Sequence, residues 1–209
     1  MDCSVEVKTQ SVTLQKCITH FANILSDTEI TTQPQAVLSL DHGLKSILKI
    51  LIHCREKSGT VYVIGNGGSA AIASHMVIDL VNMVKMRAMA MLDPAVTTCI
   101  SNDYGYEQIY AKQLSQFIRS EDILIAISSS GNSKNIINAV DIAKKTSAKV
   151  ITLSGFSENN ALRQVGDYNL WLNSKDYGQV EIGHAFLLHY LTDRLAEMLK
   201  SDINFEEMI

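Results

Sequence analysis

Two pairs of ionisable side chains recur at helical spacing and have the chemistry to move a proton. His75 and Asp79 are four residues apart, so on a helix they lie on one face. Glu181 and His189 are eight residues apart, a little over two turns, and so lie on one broad helix face. Imidazole and carboxylate groups are the usual general acids and bases, although a lone histidine is more often structural. Both pairs are therefore candidates for acid–base chemistry.

A run of hydroxyl side chains follows one predicted strand. Ile123–Ile127 leads directly into Ser128, Ser129, Ser130, Gly131, Asn132 and Ser133, and then into a predicted helix. Four serine hydroxyls beside a helix N-terminus can bind a phosphate through neutral donors and the helix dipole. The alternative is a helix N-cap without a ligand, but a cap requires only one such residue. The run therefore favours a phosphate site.

A second loop, Gly65-Asn66-Gly67-Gly68-Ser69, connects the predicted strand Val61–Ile64 to another predicted helix. Free N–H groups at a helix N-terminus attract anions, and glycines allow a ligand to approach the backbone. The loop lacks the Gly-Lys-Ser/Thr ending of nucleotide triphosphate loops, but it satisfies a relaxed dinucleotide pattern. A tight turn without a ligand remains the alternative.

The elements that must position these residues alternate along the chain. We predict strands at Val61–Ile64, Ala88–Leu92, Ile123–Ile127, Lys149–Leu153 and Asn169–Leu172. We predict helices at Ser11–Ser26, Gln35–Lys57, Ser69–Lys85, Ala95–Asn102, Glu107–Phe117, Ser133–Ser147, Ala161–Val165 and Gln179–Lys200. This order predicts a doubly wound α/β fold of the flavodoxin-like type, with a mostly parallel five-stranded sheet. Ligands bind such sheets at the carboxyl ends of the strands, where both loops lie.

The chain is long enough for one domain with helical additions. We expect a single domain over 1–209, with a helical extension at 1–58, an α/β core at 59–200 and a frayed tail at 201–209. The two leading helices, separated by the polar segment Asp27–Pro34, precede the first predicted strand, so we expect them to pack against another subunit. The alternative is that both pack on their own sheet.

Composition excludes several classes of function. The net charge is −4, so the chain lacks the basic field that nucleic acids and membrane surfaces attract. No apolar run is long enough to span a bilayer, and the N-terminus lacks signal-peptide order. The four cysteines have no C-x-x-C spacing, which favours a cytoplasmic protein with free thiols. We expect Cys54 and Cys99 to be buried on apolar helix faces.

Three motifs in register carry a resemblance to a known family. Gly65–Ser69, Ser101–Tyr106 and Ile127–Ser133 resemble the sugar isomerase (SIS) domain, and within it the phosphoheptose isomerases, in a likeness that runs from about Gln15 to Leu199. The resemblance implies that Ser128, Ser129, Ser130 and Ser133 bind a phosphate. It implies that the sugar chain contacts Asn66, Gly67, Gly68, Ser69, Asn102 and Asp103.

The resemblance also implies roles for the ionisable pairs. Phosphoheptose isomerases carry a His and a Glu four residues apart after the loop that corresponds to Gly65–Ser69, which we call the glycine loop. They carry a Gln and a His eight residues apart on the last helix. These residues surround the reacting carbons and bind zinc in several members. By similarity, Asp79, Glu181 and His189 would be catalytic, and His75, Asp79, Glu181 and His189 would form a zinc site.

Two of these positions depart from the family. Asp79 stands in place of glutamate, and a displacement on the order of 1 Å can cost about 10²-fold in rate. Glu181 stands in place of glutamine, which gives two histidines and two carboxylates, a suitable donor set for zinc. Either Asp79 or Glu181 could therefore be the base. The connection from Asp79 to Asp103 is also shorter than in the family, which leaves the identity of the sugar open.

The function implied is aldose–ketose isomerisation of a linear sugar phosphate by a homotetramer with sites at subunit interfaces. The expected substrate is sedoheptulose 7-phosphate, for heptose and lipopolysaccharide synthesis. The alternatives are a non-catalytic SIS protein that binds a replication initiator, a sugar-phosphate sensor, and an isomerase of another sugar phosphate. Retention of His75, Asp79 and His189 argues against the initiator-binding branch.

Overall fold

The computed structural model describes residues 13–34 and 36–201. Within them, a seven-stranded sheet has the order β2-β1-β7-β6-β5-β3-β4. Its strands are β1 Glu29–Thr32, β2 Ala36–Leu38, β3 Thr60–Ile64, β4 Arg87–Ala90, β5 Ile123–Ser128, β6 Lys149–Ser154 and β7 Tyr168–Trp171. The α-helices are α1 Leu14–Ser26, α2 Leu40–Glu56, α3 Gly68–Asn82, α4 Pro94–Tyr104, α5 Ala111–Phe117, α6 Lys134–Lys145 and α7 Tyr177–Ser201.

The five strands expected from the sequence are present, and they pair in parallel from β4 through β3, β5 and β6 to β7. The prediction of only five strands was wrong, because the segment between the first two helices forms a β-hairpin. β1 pairs antiparallel with both β2 and β7, with Ile30 opposite Leu38 and Leu170. Ile30 is fully buried, which explains why this short polar-looking segment joins the sheet.

The sheet separates two apolar layers, as the alternation of side chains along its strands requires. Val61 and Val63 face the layer formed with α2, α3 and α7, whereas Tyr62 and Ile64 face the layer formed with α5 and α6. β5 is buried along its whole length, as expected for a central parallel strand. The architecture is therefore the doubly wound α/β fold predicted from the sequence.

The two leading helices differ in what they bury. α2 packs into the core of its own chain through Gly43, Leu44, Ile47, Leu48, Leu51 and Cys54. In α1 only Ile24 is buried, and Leu14 and Ile18 remain 77% and 52% exposed. The expectation of packing against another subunit therefore remains open for α1, while α2 covers its own sheet.

Several predicted boundaries shifted for local reasons. The second helix begins at Leu40 because Ser39 caps it and residues 36–38 pair with β1. Residues 107–117 contain a 3₁₀ turn before α5, and residues 161–165 form only a 3₁₀ turn. Ser11, Gln35 and the predicted tail beyond residue 201 lie outside the described residues.

One cysteine prediction was confirmed and one was wrong. Cys54 is buried, whereas Cys99 is exposed because α4 buries none of its residues. The Cys99 thiol instead lies 3.6 Å from the Asp103 carboxylate. None of the helices in the described ranges is long and apolar enough to cross a membrane.

Candidate active site

The glycine loop turns the chain sharply from β3 into α3. A side chain at Gly65 would meet the backbone of Ser69 at 2.6 Å, so this position requires glycine. Gly67 has a φ of +54°, in the left-handed region that favours glycine. A side chain at Gly68 would collide with the carboxylate of Glu181. The loop therefore brings the first turn of α3 directly beneath α7.

The residues Ser128–Ser133, which we call the serine loop, have an arrangement that a simple helix cap does not explain. Ser133 precedes α6, but its hydroxyl makes no capping bond to the helix. It accepts a hydrogen bond from the Ser128 hydroxyl at 3.1 Å instead. The Ser129 hydroxyl is buried and has no hydrogen-bond partner among the described residues. A buried donor without a partner is costly, and a bound phosphate oxygen would satisfy it.

The two loops share one cavity of about 170 Å³ at the carboxyl edge of the sheet. Its lining consists of Asn66, Ser69, Ile127, Ser128, Ser129, Ser130, Ser133, Tyr177 and Glu181. We call this set the serine cradle. It offers hydroxyl and amide groups and one carboxylate, with no lysine or arginine in the lining. Such a cavity can hold a phosphate through neutral donors and the N-terminus of α6.

A second cluster lies between α3 and α7. The Asp79 carboxylate is 3.1 Å from Nδ1 of His189 and 3.9 Å from Nε2 of His75. The two imidazole rings are edge to face, with centroids 4.7 Å apart. We call these three residues the histidine–aspartate triad. The Asp79 side chain is only 12% exposed, whereas those of His75 and His189 are 61% and 45% exposed.

The triad borders a cleft of about 200 Å³ whose other walls are Ala71, Ile72, Met76, Ala185 and Leu188. Candidate ligand atoms of its three residues lie within 4.8 Å of one another. Two imidazoles and a carboxylate can transfer protons, and they also form a zinc site that leaves one position open. The cleft is therefore suited to acid–base or metal-assisted chemistry.

The structure does not bring every predicted site residue together. Glu181 is not part of the triad and lines the serine cradle instead. Asn102 and Asp103 are exposed on α4, where the Asn102 amide donates to the Asp103 carboxylate at 2.9 Å. Neither lines the serine cradle or the triad cleft.

Two residues that the sequence did not single out support the glycine loop. Asn135 exchanges hydrogen bonds with the Asn66 amide, and the Tyr106 hydroxyl donates to Asn66 Oδ1. The signal for Tyr106 was its place at the end of the Ser101–Tyr106 motif. Asn135 carried no comparable signal, because a helical asparagine two residues after a serine run is unremarkable until the tertiary contact is known.

Two buried titratable groups lie behind the site. Burial raises the pKa of Tyr110 to about 12, so its hydroxyl stays protonated and donates to the carbonyl of Gly65. Burial lowers the pKa of His184 to about 4, because the charged imidazole cannot be solvated there. The neutral His184 ring lies 3.2 Å from the carbonyl of Ser154, so both groups stabilise the strand ends at the carboxyl edge.

The fold and these two clusters agree with what comparison with known proteins finds. The SIS domain family model matches residues 29–155, more than half of the chain. The chain therefore belongs to the SIS domain family.

Relatives narrow the class further. The chain is 36% identical to the phosphoheptose isomerase of Leptospira biflexa over 170 residues, 78% of this chain and 87% of the relative. It is 32% identical to that of Campylobacter concisus over 200 residues, 93% of this chain and 97% of the relative. A solved phosphoheptose isomerase from Francisella tularensis superposes with a TM-score of 0.74 at 30% identity, covering 89% and 99% of the two chains. Within the SIS family, the chain groups with the phosphoheptose isomerases.

Proposed function

We propose that this protein is a phosphosugar isomerase that converts sedoheptulose 7-phosphate to glycero-manno-heptose 7-phosphate. The observation that carries this proposal is that one helix pair, α3 and α7, contributes to both the serine cradle and the histidine–aspartate triad. The relatives are named phosphoheptose isomerases, which supports a heptose phosphate as the substrate. We further place the reaction in the cytoplasm, in heptose and lipopolysaccharide synthesis.

The serine cradle and the triad lie at different positions along the contact between α3 and α7. Glu181 lies over Gly68 at the start of α3, and His189 lies beside Asp79 near its end, so α3 and α7 run in the same direction. Eight residues of helix between Glu181 and His189 correspond to about 12 Å. A linear sugar phosphate needs this separation, because its phosphate and its reacting carbons are at opposite ends. The cradle therefore anchors the phosphate, and the triad acts on the carbonyl end.

Isomerisation moves one proton between adjacent carbons through an enediol. Asp79 removes a proton from C1 of the ketose, while the C2 carbonyl oxygen gains a proton and the C1–C2 double bond forms. The C1 hydroxyl then loses its proton as C1 becomes the aldehyde carbon, and a proton is returned to C2. His189, 3.1 Å from Asp79, exchanges protons with the two oxygens. Glu181, which lines the serine cradle, is the second candidate for the base.

The triad also fits a zinc ion, since two imidazole nitrogens and a carboxylate oxygen lie within 4.8 Å of one another. His75, Asp79 and His189 would hold the ion, and Glu181 would complete the four-residue set only if its side chain moved from the cradle. Bound zinc would polarise the substrate carbonyl. Metal analysis of protein purified without chelators or a histidine tag tests this assignment.

We also propose that the protein forms a homotetramer with sites at subunit interfaces. Large apolar side chains are exposed on the helices that flank the triad, including Ile78 on α3 and Ile182 and Phe186 on α7. Leu14 and Ile18 on α1 are exposed as well. Exposed apolar clusters of this kind mark protein interfaces. Light scattering at micromolar protein concentration measures the assembly, and a monomer would contradict it.

Turnover is the decisive test of the proposed activity. Purified protein is incubated with sedoheptulose 7-phosphate, with and without added zinc, and aldose formation is followed. His189→Ala should abolish turnover, whereas His53→Ala, an exposed position on α2, should retain it. Binding of ketose phosphates without turnover would contradict the enzyme and favour a sugar-phosphate sensor.

A further inference from the structure

The amide of Asn66 is held in one orientation by hydrogen bonds from two other segments. Its Oδ1 accepts from Asn135 Nδ2 at 2.8 Å and from the Tyr106 hydroxyl at 3.0 Å. Its Nδ2 donates to Asn135 Oδ1 at 3.0 Å. Three hydrogen bonds therefore hold a side chain that also lines the serine cradle.

These bonds leave one hydrogen-bonding group of the Asn66 amide without a partner in the described chain. An amide oxygen has two lone pairs, and both of those on Asn66 are occupied. An amide nitrogen has two hydrogens, and only one of those on Asn66 is used within the described chain. The group that remains for a ligand in the cavity is an N–H donor.

The two partners come from well-separated parts of the sequence. Asn135 is 2% exposed on the first turn of α6, directly behind the serine loop. Tyr106 follows Gly105, whose φ of +94° turns the chain after α4. Tyr106 is thus a member of the Ser101–Tyr106 motif that contacts the glycine loop, whereas Asn102 and Asp103 remain exposed.

We propose that Tyr106 and Asn135 are positioning residues that fix Asn66 as a hydrogen-bond donor to an acceptor oxygen of the substrate. This inference rests on the proposed function, because the acceptor is an oxygen of the bound sugar phosphate. The serine cradle contains no cation, so each neutral donor contributes substantially to anion recognition. If the amide were reversed, its carbonyl oxygen would face the substrate and repel its electron-rich oxygens.

The first test removes a single hydroxyl. Tyr106→Phe leaves the ring in place but removes one of the three hydrogen bonds that orient the Asn66 amide, so Kd and KM for sedoheptulose 7-phosphate should rise about fivefold to tenfold, the effect of one hydrogen bond. The triad is untouched, so kcat should stay within about twofold. Tyr106 is 53% exposed, so the melting temperature should not change. Tyr104→Phe is the matched control, because Tyr104 is 55% exposed and contacts Lys112 through its ring.

The second test asks whether Asn66 acts on the substrate as a hydrogen-bond donor or as an acceptor. Asn66→Asp has nearly the same shape but replaces both N–H groups of the amide, including the one bonded to Asn135, with a negatively charged acceptor oxygen, so affinity should fall about 100-fold. Calorimetric titration with inorganic phosphate, run beside the sugar phosphate, identifies the oxygen that is recognised. A loss for both ligands assigns the N–H to the phosphate, and a loss for the sugar phosphate alone assigns it to the sugar chain.

Three results would overturn the inference. Tyr106→Phe could bind the sugar phosphate as the unsubstituted protein does, or it could lower kcat and the melting temperature without changing KM. Asn66→Asp could retain affinity. Failure of the proposed function is distinguishable, because binding without turnover refutes the enzyme while the titrations still test the amide. A protein that binds neither ligand would refute both.

Discussion

The serine cradle and the histidine–aspartate triad share two helices but are built differently. In the cradle, Ser128 and Ser129 are buried, the Ser128 hydroxyl donates to Ser133, and Asn66 exchanges hydrogen bonds with Asn135. In the triad, Asp79 is nearly buried, but both imidazoles are about half exposed. The cradle is a preorganised pocket of neutral donors with one carboxylate, Glu181, whereas the triad is an open cluster of ionisable groups.

This difference fits the roles that we propose for the two regions. A phosphate anchor gains from rigidity, because donors that are already oriented lose little entropy on binding. An acid–base site needs groups that can gain and lose protons, and deep burial would suppress their charged forms. Ile78 and Phe186 are exposed apolar side chains on the two helices that carry the triad, and the proposed subunit interface would bury them. Substitutions in the cradle should therefore change affinity, and substitutions in the triad should change turnover.

The largest expected effect comes from Asp79→Asn. The amide keeps the size of the side chain but removes the proposed base, so kcat should fall by about 10²- to 10⁴-fold. KM should change only a few-fold, because the proposed phosphate anchor is the serine cradle. Steady-state kinetics with Asp141→Asn, an exposed position on α6, as control test this split. A large rise in KM with little loss of kcat would contradict the separation of the two regions.

His184 lies on α7 between the two regions, and the pH dependence of stability shows whether water reaches it at the carboxyl edge of the sheet. Burial lowers its pKa to about 4 in the folded state, below its ordinary value of 6.5. As pH falls from 6.5 to 4, the unfolded chain takes up a proton that the folded chain does not, so stability is lost, by roughly 3 kcal/mol at most.

Urea unfolding at pH 7 and pH 4.5 measures this loss. His184→Asn removes the titrating ring but keeps a donor for the Ser154 carbonyl, so its stability should depend less on pH. Equal pH dependence in the two proteins would show that His184 is hydrated in the folded state.

Gly131→Ala should damage the cradle without touching the triad. Gly131 has a φ of +67°, and an added side chain would collide with Asn160, whose amide bonds to Ser154 and Ser157. Strain of this kind costs roughly 1–3 kcal/mol, and affinity for the sugar phosphate should fall about tenfold. Gly178→Ala is the control, because an added side chain there approaches only Asp176, at 3.2 Å. Calorimetry and urea unfolding measure the two effects, and unchanged affinity would refute the cradle.

Glu181→Gln should have the smallest effect and the opposite sign. Its carboxylate lines the cradle and repels a bound phosphate, so the neutral amide should raise affinity about fivefold. Turnover should persist, because Asp79 remains, and Glu56→Gln on α2 serves as an exposed control. A collapse of kcat in Glu181→Gln would instead identify Glu181 as the base.

Much of this arrangement could be predicted from residue order. Strands followed by Gly65–Ser69 and by Ser128–Ser133 mark loops at one sheet edge, because parallel strands end together. The i,i+4 spacing of His75 and Asp79 was sufficient to pair them. The β1–β2 hairpin was missed because strands of four and three residues are too short for periodicity to reveal.

Tertiary structure decided which helix faces meet. Spacing alone placed Glu181 and His189 on one broad face, but packing of α7 on α3 directs Glu181 to the cradle and His189 to Asp79. The hydrogen bonds that Tyr106 and Asn135 make with Asn66 span 40 and 69 residues, beyond any local pattern. The fold class and the available chemistry could be predicted from the sequence, because both follow from local periodicity and residue type. The separation of the serine cradle from the histidine–aspartate triad could not be predicted in this way, because it depends on contacts between distant segments.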